Sequence, residues 1–154
     1  MKISILCIGK LGQAPEAALA LDWARRAGQI GRALGLGPVE IVEVEARKSG
    51  KAAEGEALLR RFEDGLLVAL DEHGGATTSR AFAEWLAALR DEGVRHLAFA
   101  IGGADGLDAA VTAAARRTLA FGPQTWPHAL ARAMLAEQLY RAATLMAGQP
   151  YHRD

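Results

Sequence analysis

"RHLAFAIGGADGLDAA", residues 95–110, decides the fold. From His96 to Ile101 the apolar residues run without alternation, then meet Gly102-Gly103, and Asp108 stands where a following helix needs its N-cap. An unbroken apolar run of this length suits a strand buried on both faces. Its passage through glycines into a capped helix is the strand–loop–helix step of a parallel sheet.

The same step recurs on either side. "KISILCI" (Lys2–Ile8) is a second doubly buried run and stops at Gly9. From Pro15 to Leu34, alanines, leucines and Trp23 alternate with Asp22, Arg25 and Arg26 at helical spacing until "GLGP" ends the helix. "VEIVEV" (Val39–Val44) alternates strictly, which predicts a strand with one wet face near the sheet edge. Ala53–Phe62 reads as a helix and "GLLVALD" (Gly65–Asp71) as a strand. "EHGGATTS" reads as a loop closing with Ser79 as N-cap, before a helix over Arg80–Glu92 with Phe82, Trp85, Leu86 and Leu89 on one face. "RRTLAFG" is a short fifth strand, and Pro127 opens a long helix from His128 to Met146. The expectation is one α/β domain over residues 1–154, with a mostly parallel sheet and helices on both faces. In such sheets ligands sit outside the carboxyl ends of the strands. That rule nominates the loops "EHGG", "GGADG" and "GPQTWPH".

Composition narrows the function. Of 154 residues, 18 are Lys or Arg and 18 are Asp or Glu, so no global field marks a binder of naked nucleic acid. Charge is nonetheless uneven. "EARKSGK" gathers Arg47, Lys48 and Lys51 in one short loop, either a solvated surface or a phosphate contact. The single cysteine, Cys7, lies in an apolar run as a core residue and excludes a disulfide framework within one chain. No metal-ligand cluster is expected. No segment approaches bilayer-spanning length, so a cytoplasmic protein is expected.

The glycine loops support little standard chemistry. "IGGADGLDAA" is not G-x-G-x-x-G, lacks the G-K-[ST] of a phosphate loop, and no serine occupies a nucleophile elbow. What Gly102 and Gly103 offer is close approach of main-chain groups to a flat ligand, or a plain strand-to-helix turn. The last helix carries Leu130, Met134, Leu135, Leu139, Ala142, Ala143 and Met146, wider than a narrow stripe, with Arg132, Glu137 and Arg141 as a thin charged face. Such a surface is buried within one domain or shared with a second copy. The tail then adds Tyr151, His152 and Arg153, three side chains suited to a working site, where chain ends ordinarily fray.

Taken together, "FAIGGADG", "LAFGPQTWPHALARAMLAEQLYRA" and the terminal "PYHRD" resemble the ribosomal RNA large subunit methyltransferase H family of the SPOUT superfamily. The likeness covers essentially the whole chain, including "MKISILCIGK", "RKSGK" and "LDEHG". It implies a C-terminal deep trefoil knot, which no periodicity would suggest. It also implies S-adenosyl-L-methionine held mainly through the backbone at Leu70, Gly103 and the stretch Gly122, Pro123, Gln124, Thr125, Trp126 and Pro127. The implied reaction is methylation of N3 of a pseudouridine in the helix 69 loop of 23S rRNA, on the assembled ribosome. It would be carried out by a homodimer whose C-terminal tail completes the substrate side of the site. His128 and His152 are then the groups able to manage the N3 proton near neutral pH. Arg153 would stabilise charge on the base, and Tyr151 would hydrogen-bond to or stack on it. Arg47, Lys48 and Lys51 become grips for RNA phosphates. Relatives often place serines before the Pro-His pair where this chain has Phe121, Gly122 and Pro123, and often a histidine where it has Gln149. Two rivals stay open: a non-catalytic α/β module binding a nucleotide or protein, and a SPOUT enzyme acting on tRNA.

Overall fold

A computed structural model describes residues 1–151. Five strands form one sheet: β1 (Lys2–Ile8), β2 (Val39–Val44), β3 (Leu66–Ala76), β4 (His96–Ile101) and β5 (Arg117–Ala120). Their spatial order is β2-β1-β4-β3-β5, and every pairing is parallel. Five helices accompany them: α1 (Pro15–Gly31), α2 (Lys51–Arg61), α3 (Ser79–Asp91), α4 (Ala109–Ala114) and α5 (His128–Met146).

Strand alternation divides the core into two halves. Ile3, Ile5 and Cys7 of β1 and Leu97, Phe99 and Ile101 of β4 pack with α1, α3 and α5. Leu6 and Ile8 of β1 and the small Ala98 and Ala100 of β4 pack with Leu58 of α2 and Val111 of α4. Helices therefore cover both faces, which is why β1 and β4 read as unbroken apolar runs. Strictly alternating β2 is an edge strand, as its pattern predicts. Along α1, Ala20, Ala24, Ala27 and Gly31 form a buried stripe of small side chains against which α5 lies closely. Cys7 is fully buried, and desolvation pushes its thiol up to about 12, as befits a core residue.

The structure revises several boundaries. β3 does not stop at Asp71 but continues to Ala76, so "EHGG" belongs to the strand. Its pairing to β5 breaks there, because Leu119 faces both Leu70 and Gly75 while the chain between them arches away. Gly74 presses on the β5 backbone at this break. A Cβ there would stand 2.7 Å from the Leu119 carbonyl carbon, so glycine is required by close approach. The cap of α3 is Thr78, whose hydroxyl accepts from the Ala81 N–H. Ser79 instead donates to Gln138 Oε1 at 2.7 Å and ties α3 to α5. Helix α2 starts at Lys51, after Gly50 takes a positive φ of 109°. Asp108 caps α4 as expected.

Candidate active site

The three nominated loops converge. A cavity of about 640 Å³ opens at the carboxyl ends of β3, β4 and β5, within the range of cofactor pockets. Leu70 and Glu72 close it from β3, Gly102 to Leu107 from beyond β4, and Gln124 to His128 from beyond β5.

Each wall has a local cause. Beyond β4, Gly106 donates to the Gly103 carbonyl at 3.1 Å and takes a φ of 80°, making a tight turn. A Cβ on Gly102 would stand 2.4 Å from the Gly106 carbonyl oxygen, so the turn closes only over a bare α-carbon. Beyond β5, the Trp126 indole N–H donates to the Phe121 carbonyl at 3.1 Å and folds the loop on itself. The Thr125 hydroxyl donates to the Glu72 carboxylate and latches that loop to the β3 extension across the cavity. Asp71, the other acid of that extension, accepts from both the main-chain N–H and the ring Nδ1 of exposed His73 at 2.9 Å.

Of the residues nominated for the cofactor, Leu70, Gly102, Gly103, Gln124, Thr125, Trp126 and Pro127 line this cavity. Gly122, at a φ of 91°, faces a neighbouring cavity of about 270 Å³ beside Ser79 and Gln138, and exposed Pro123 lines neither. His128 lines the cavity half-buried. Desolvation holds its imidazole below the ordinary value of 6.5, Arg132 lowers it further, and Glu54 opposes both. The ring is therefore neutral near neutral pH and able to accept a proton.

Arg132 overturns one expectation. It is only 1 % exposed and points inward rather than belonging to a charged outer face. It donates to Glu43 Oε1 at 2.9 Å and to the Ile8 and Gly9 carbonyls at 3.2 and 3.3 Å. One side chain thus binds the start of α5 to the ends of β1 and β2. His96 is mostly buried, with Ser4 Oγ and the Asp64 carbonyl each 2.9 Å from one ring nitrogen, and acts as a structural bridge at the amino ends of the strands, opposite the cavity.

Among the tail residues, Tyr151 is described; His152 and Arg153 lie outside the described residues. Tyr151 is held firmly. Gly148, at a φ of 65°, donates to Leu145 and Gln149 donates to Thr144, a Schellman end to α5 that turns the chain back. The phenol donates to Glu137 Oε1 at 3.0 Å, Arg141 lies over the ring at 4.8 Å, and Tyr140 and Trp23 pack against it. Glu137 also accepts from Arg141 at 2.5 Å, the pairing its helical spacing predicts. This anchor is remote from the cavity of its own chain. Glu137 follows His128 by two and a half turns, about 14 Å along the axis and on the opposite side of the helix.

Arg47, Lys48 and Lys51 are exposed at the carboxyl end of β2, on the same rim as the cavity. None forms an ion pair among the described residues.

The comparisons with known proteins follow this geometry. The family described as "Predicted SPOUT methyltransferase" matches residues 1–152. A Caulobacter vibrioides protein named ribosomal RNA large subunit methyltransferase H is 66% identical over 154 residues, covering 100% of this chain and 99% of its own. The protein of that name from Phenylobacterium zucineum is 63% identical, with both chains covered at 100%. The chain belongs to the ribosomal RNA large subunit methyltransferase H family of SPOUT methyltransferases. Solved structures agree on the fold. A "probable methylase family protein" from Haemophilus influenzae superposes with a TM-score of 0.56 at 13% identity, covering 99% of this chain and 70% of that one. A "probable methyltransferase" from Bordetella pertussis gives 0.56 at 20%, covering 92% and 96%.

Sequence reasoning missed the Glu72 latch, the inward Arg132 with its partner Glu43, and Glu54, whose carboxylate stands against Gly103. Each reads in sequence as an ordinary surface charge, and only the folded contacts reveal otherwise.

Proposed function

We propose that this protein uses S-adenosyl-L-methionine to methylate N3 of a pseudouridine in the helix 69 loop of 23S rRNA, on the assembled ribosome. The observation carrying this reading is the cavity itself, walled by loops of a chain 66% identical, end to end, to a large-subunit rRNA methyltransferase. Its charge fits the donor. Asp71, Glu72 and Asp105 line it, and no lysine or arginine does among the described residues, so it favours a cationic ligand.

When bound, the donor supplies an electrophilic methyl on a sulfonium, and the displaced sulfur leaves neutral. The protein's own share is orientation and proton handling. Backbone at Leu70, Gly102, Gly103 and Gln124 to Pro127 would hold the flat adenine and ribose, the Thr125–Glu72 latch keeping the wall in place, with Gly122 and Pro123 shaping the same loop. Neutral His128 would take the N3 proton as that nitrogen attacks. Arg153 would offset charge on the base oxygens, and His152 would share the proton handling. Arg47, Lys48 and Lys51 would hold phosphates on the rim.

The working unit in this reading is a homodimer, each cavity completed by the tail of the other copy. Support comes from Tyr151, whose bond to Glu137 holds it on the far side of α5 from its own His128. Residues 1–154 act as one domain, and the C-terminal segment passes through a deep trefoil knot. Support for the knot comes from the break in the β3–β5 ladder, where the chain between Leu70 and Gly75 leaves the pairing beside Leu119. No helix among the described residues is long and apolar enough to cross a membrane, consistent with a cytoplasmic ribosome-modifying enzyme.

The test is transfer of labelled methyl from S-adenosylmethionine to intact ribosomes lacking the modification, beside free 23S rRNA and tRNA. Label on ribosomes that disappears when residues 151–154 are deleted supports the reading. Cofactor binding without label on any RNA overturns it in favour of a binding module, and label on tRNA alone in favour of a tRNA enzyme.

A further inference from the structure

The end of the sheet opposite the cavity carries the reverse charge. A groove of about 800 Å³ runs along the amino ends of β3, β4 and β5, between the second half of α3 and the end of α4. Phe62, Leu66, Trp85 and Val94 lie half-buried along it as an apolar floor. Arg95, Arg116 and Arg117 line it too, and Glu92 is the one acid among the described lining residues. The cavity at the carboxyl rim is lined by Asp71, Glu72 and Asp105 with no lysine or arginine among those described. A net charge of zero thus hides a division between the two ends of the sheet.

The three arginines have donors to spare. Arg95 and Arg116 are exposed, and neither side chain makes a hydrogen bond or ion pair among the described residues. Arg117 lies over the Trp85 ring, 4.9 Å from its centroid, and pairs with no acid among them. Arginines at such a rim often serve helix ends, since α2, α3 and α4 all finish here. None of these three donates to a helix-end carbonyl among the described residues. Their neighbours behave otherwise: Arg90 donates to the Leu34 carbonyl and pairs with Asp91, and Arg60 pairs with Glu56. The groove therefore presents open guanidinium forks beside an aromatic floor. Forks of that kind match phosphate oxygens, and a guanidinium plane held against an indole offers a surface on which a base can stack. An acidic peptide would use the charges and leave that plane idle.

We propose that this groove is a second RNA contact, in which Arg95 and Arg116 hold phosphates and the Arg117 plane over Trp85 stacks a base. That the RNA is ribosomal rests on the reading above. Six residues of β4 separate the groove from the cavity, about 20 Å of strand, so the nucleotide in the cavity cannot also occupy the groove. The segment bound here is a different one, brought within reach by the folded ribosome. Two linked contacts favour the assembled particle over free RNA without any change at the reacting base.

Two measurements on the full-length protein test this. The triple variant Arg95→Gln, Arg116→Gln, Arg117→Gln should raise KM for ribosomes about tenfold or more, with kcat and S-adenosylhomocysteine binding at wild-type values. On a log–log plot, its loss of ribosome affinity with salt should be shallower by about 2. An unchanged KM, or a lower kcat at unchanged KM, would overturn the contact. The second measurement places a thiol-attached photocrosslinker on Arg116→Cys, one exposed position, with Cys7 too buried to compete. Irradiation with ribosomes should give a ribonuclease-sensitive adduct to rRNA, and this decides the matter even if the triple variant does not fold. An adduct to a ribosomal protein, an adduct to a second copy of the chain, or no adduct would overturn the RNA assignment. Crosslinking needs no turnover, so the two readings fail separately. Methyl transfer without the rRNA adduct overturns the groove alone, and the adduct without methyl transfer keeps the groove and overturns the reaction.

Discussion

Replacing Arg132 by methionine should destabilise the protein by about 3 kcal/mol, because the side chain is buried and both of its terminal nitrogens are hydrogen-bonded. It is 1 % exposed and makes one bond to the Glu43 carboxylate and two to strand-end carbonyls. Hydrogen bonds involving a charged group contribute ~1.5–3 kcal/mol each, and the carbonyl contacts at 3.2 and 3.3 Å belong at the low end. Their gross sum is reduced because methionine still fills the space and the desolvation of the guanidinium is relieved. Glu43 has its side chain one-third exposed and keeps the Leu11 N–H at 3.1 Å, so it is not stranded when arginine leaves. With a urea slope of roughly 2 kcal/mol/M, the loss appears as a midpoint lower by about 1.5 M. Glu43→Gln, which keeps both acceptor bonds but not the charge, should cost about 1 kcal/mol, and the double variant should cost less than the sum. A midpoint within about 0.3 M of wild type for Arg132→Met, or strict additivity in the cycle, would refute the claim that this residue ties α5 to β1 and β2.

Three further outcomes are expected. Thr125→Val removes the latch to Glu72 and should weaken S-adenosylhomocysteine severalfold in calorimetry, about 1 kcal/mol, without moving the urea midpoint beyond error. Gly102→Ala places a methyl 2.4 Å from the Gly106 carbonyl, so cofactor binding should be lost and the melting temperature should fall, by about 2 kcal/mol of overpacking. The lowered His128 value means that the unfolded chain takes up its proton first as pH falls. His128 thus contributes nothing differential above its ordinary value of 6.5, and stability drops as pH falls below it toward the lowered native value. His128→Asn should flatten that limb in urea titrations, and an unchanged slope would contradict the burial argument.

Much of the architecture was legible because one physical signal, burial on both faces, acts on whole segments. Lys2–Ile8 and His96–Ile101 could be nothing but central strands, and the α5 bounds follow from Pro127 and the long apolar pattern. Where sequence reading failed, single contacts decided. Glycine-rich "EHGG" looks like a loop, yet Gly74 and Gly75 are there to let β3 slide past the β5 backbone. Arg132 sits at a position that helical spacing assigns to the charged face, but strand-end carbonyls and Glu43 draw it inward. The cavity loops were found from the carboxyl-end rule and the glycines, whereas Glu54 and the Thr125–Glu72 latch depend on approaches between distant segments that no local pattern encodes.

The central claim is that a working site joins the cavity of one copy to the tail of another, and mixing two inactive variants tests it most directly. One carries His128→Ala with an intact tail; the other keeps His128 and lacks residues 151–154. Each is expected to be inactive alone on ribosomes. After co-refolding, random pairing of copies should return about a quarter of wild-type methyl transfer, since half the dimers are mixed and each holds one complete site. No recovery from verified mixed dimers would mean that each cavity works with its own tail, and would contradict the account.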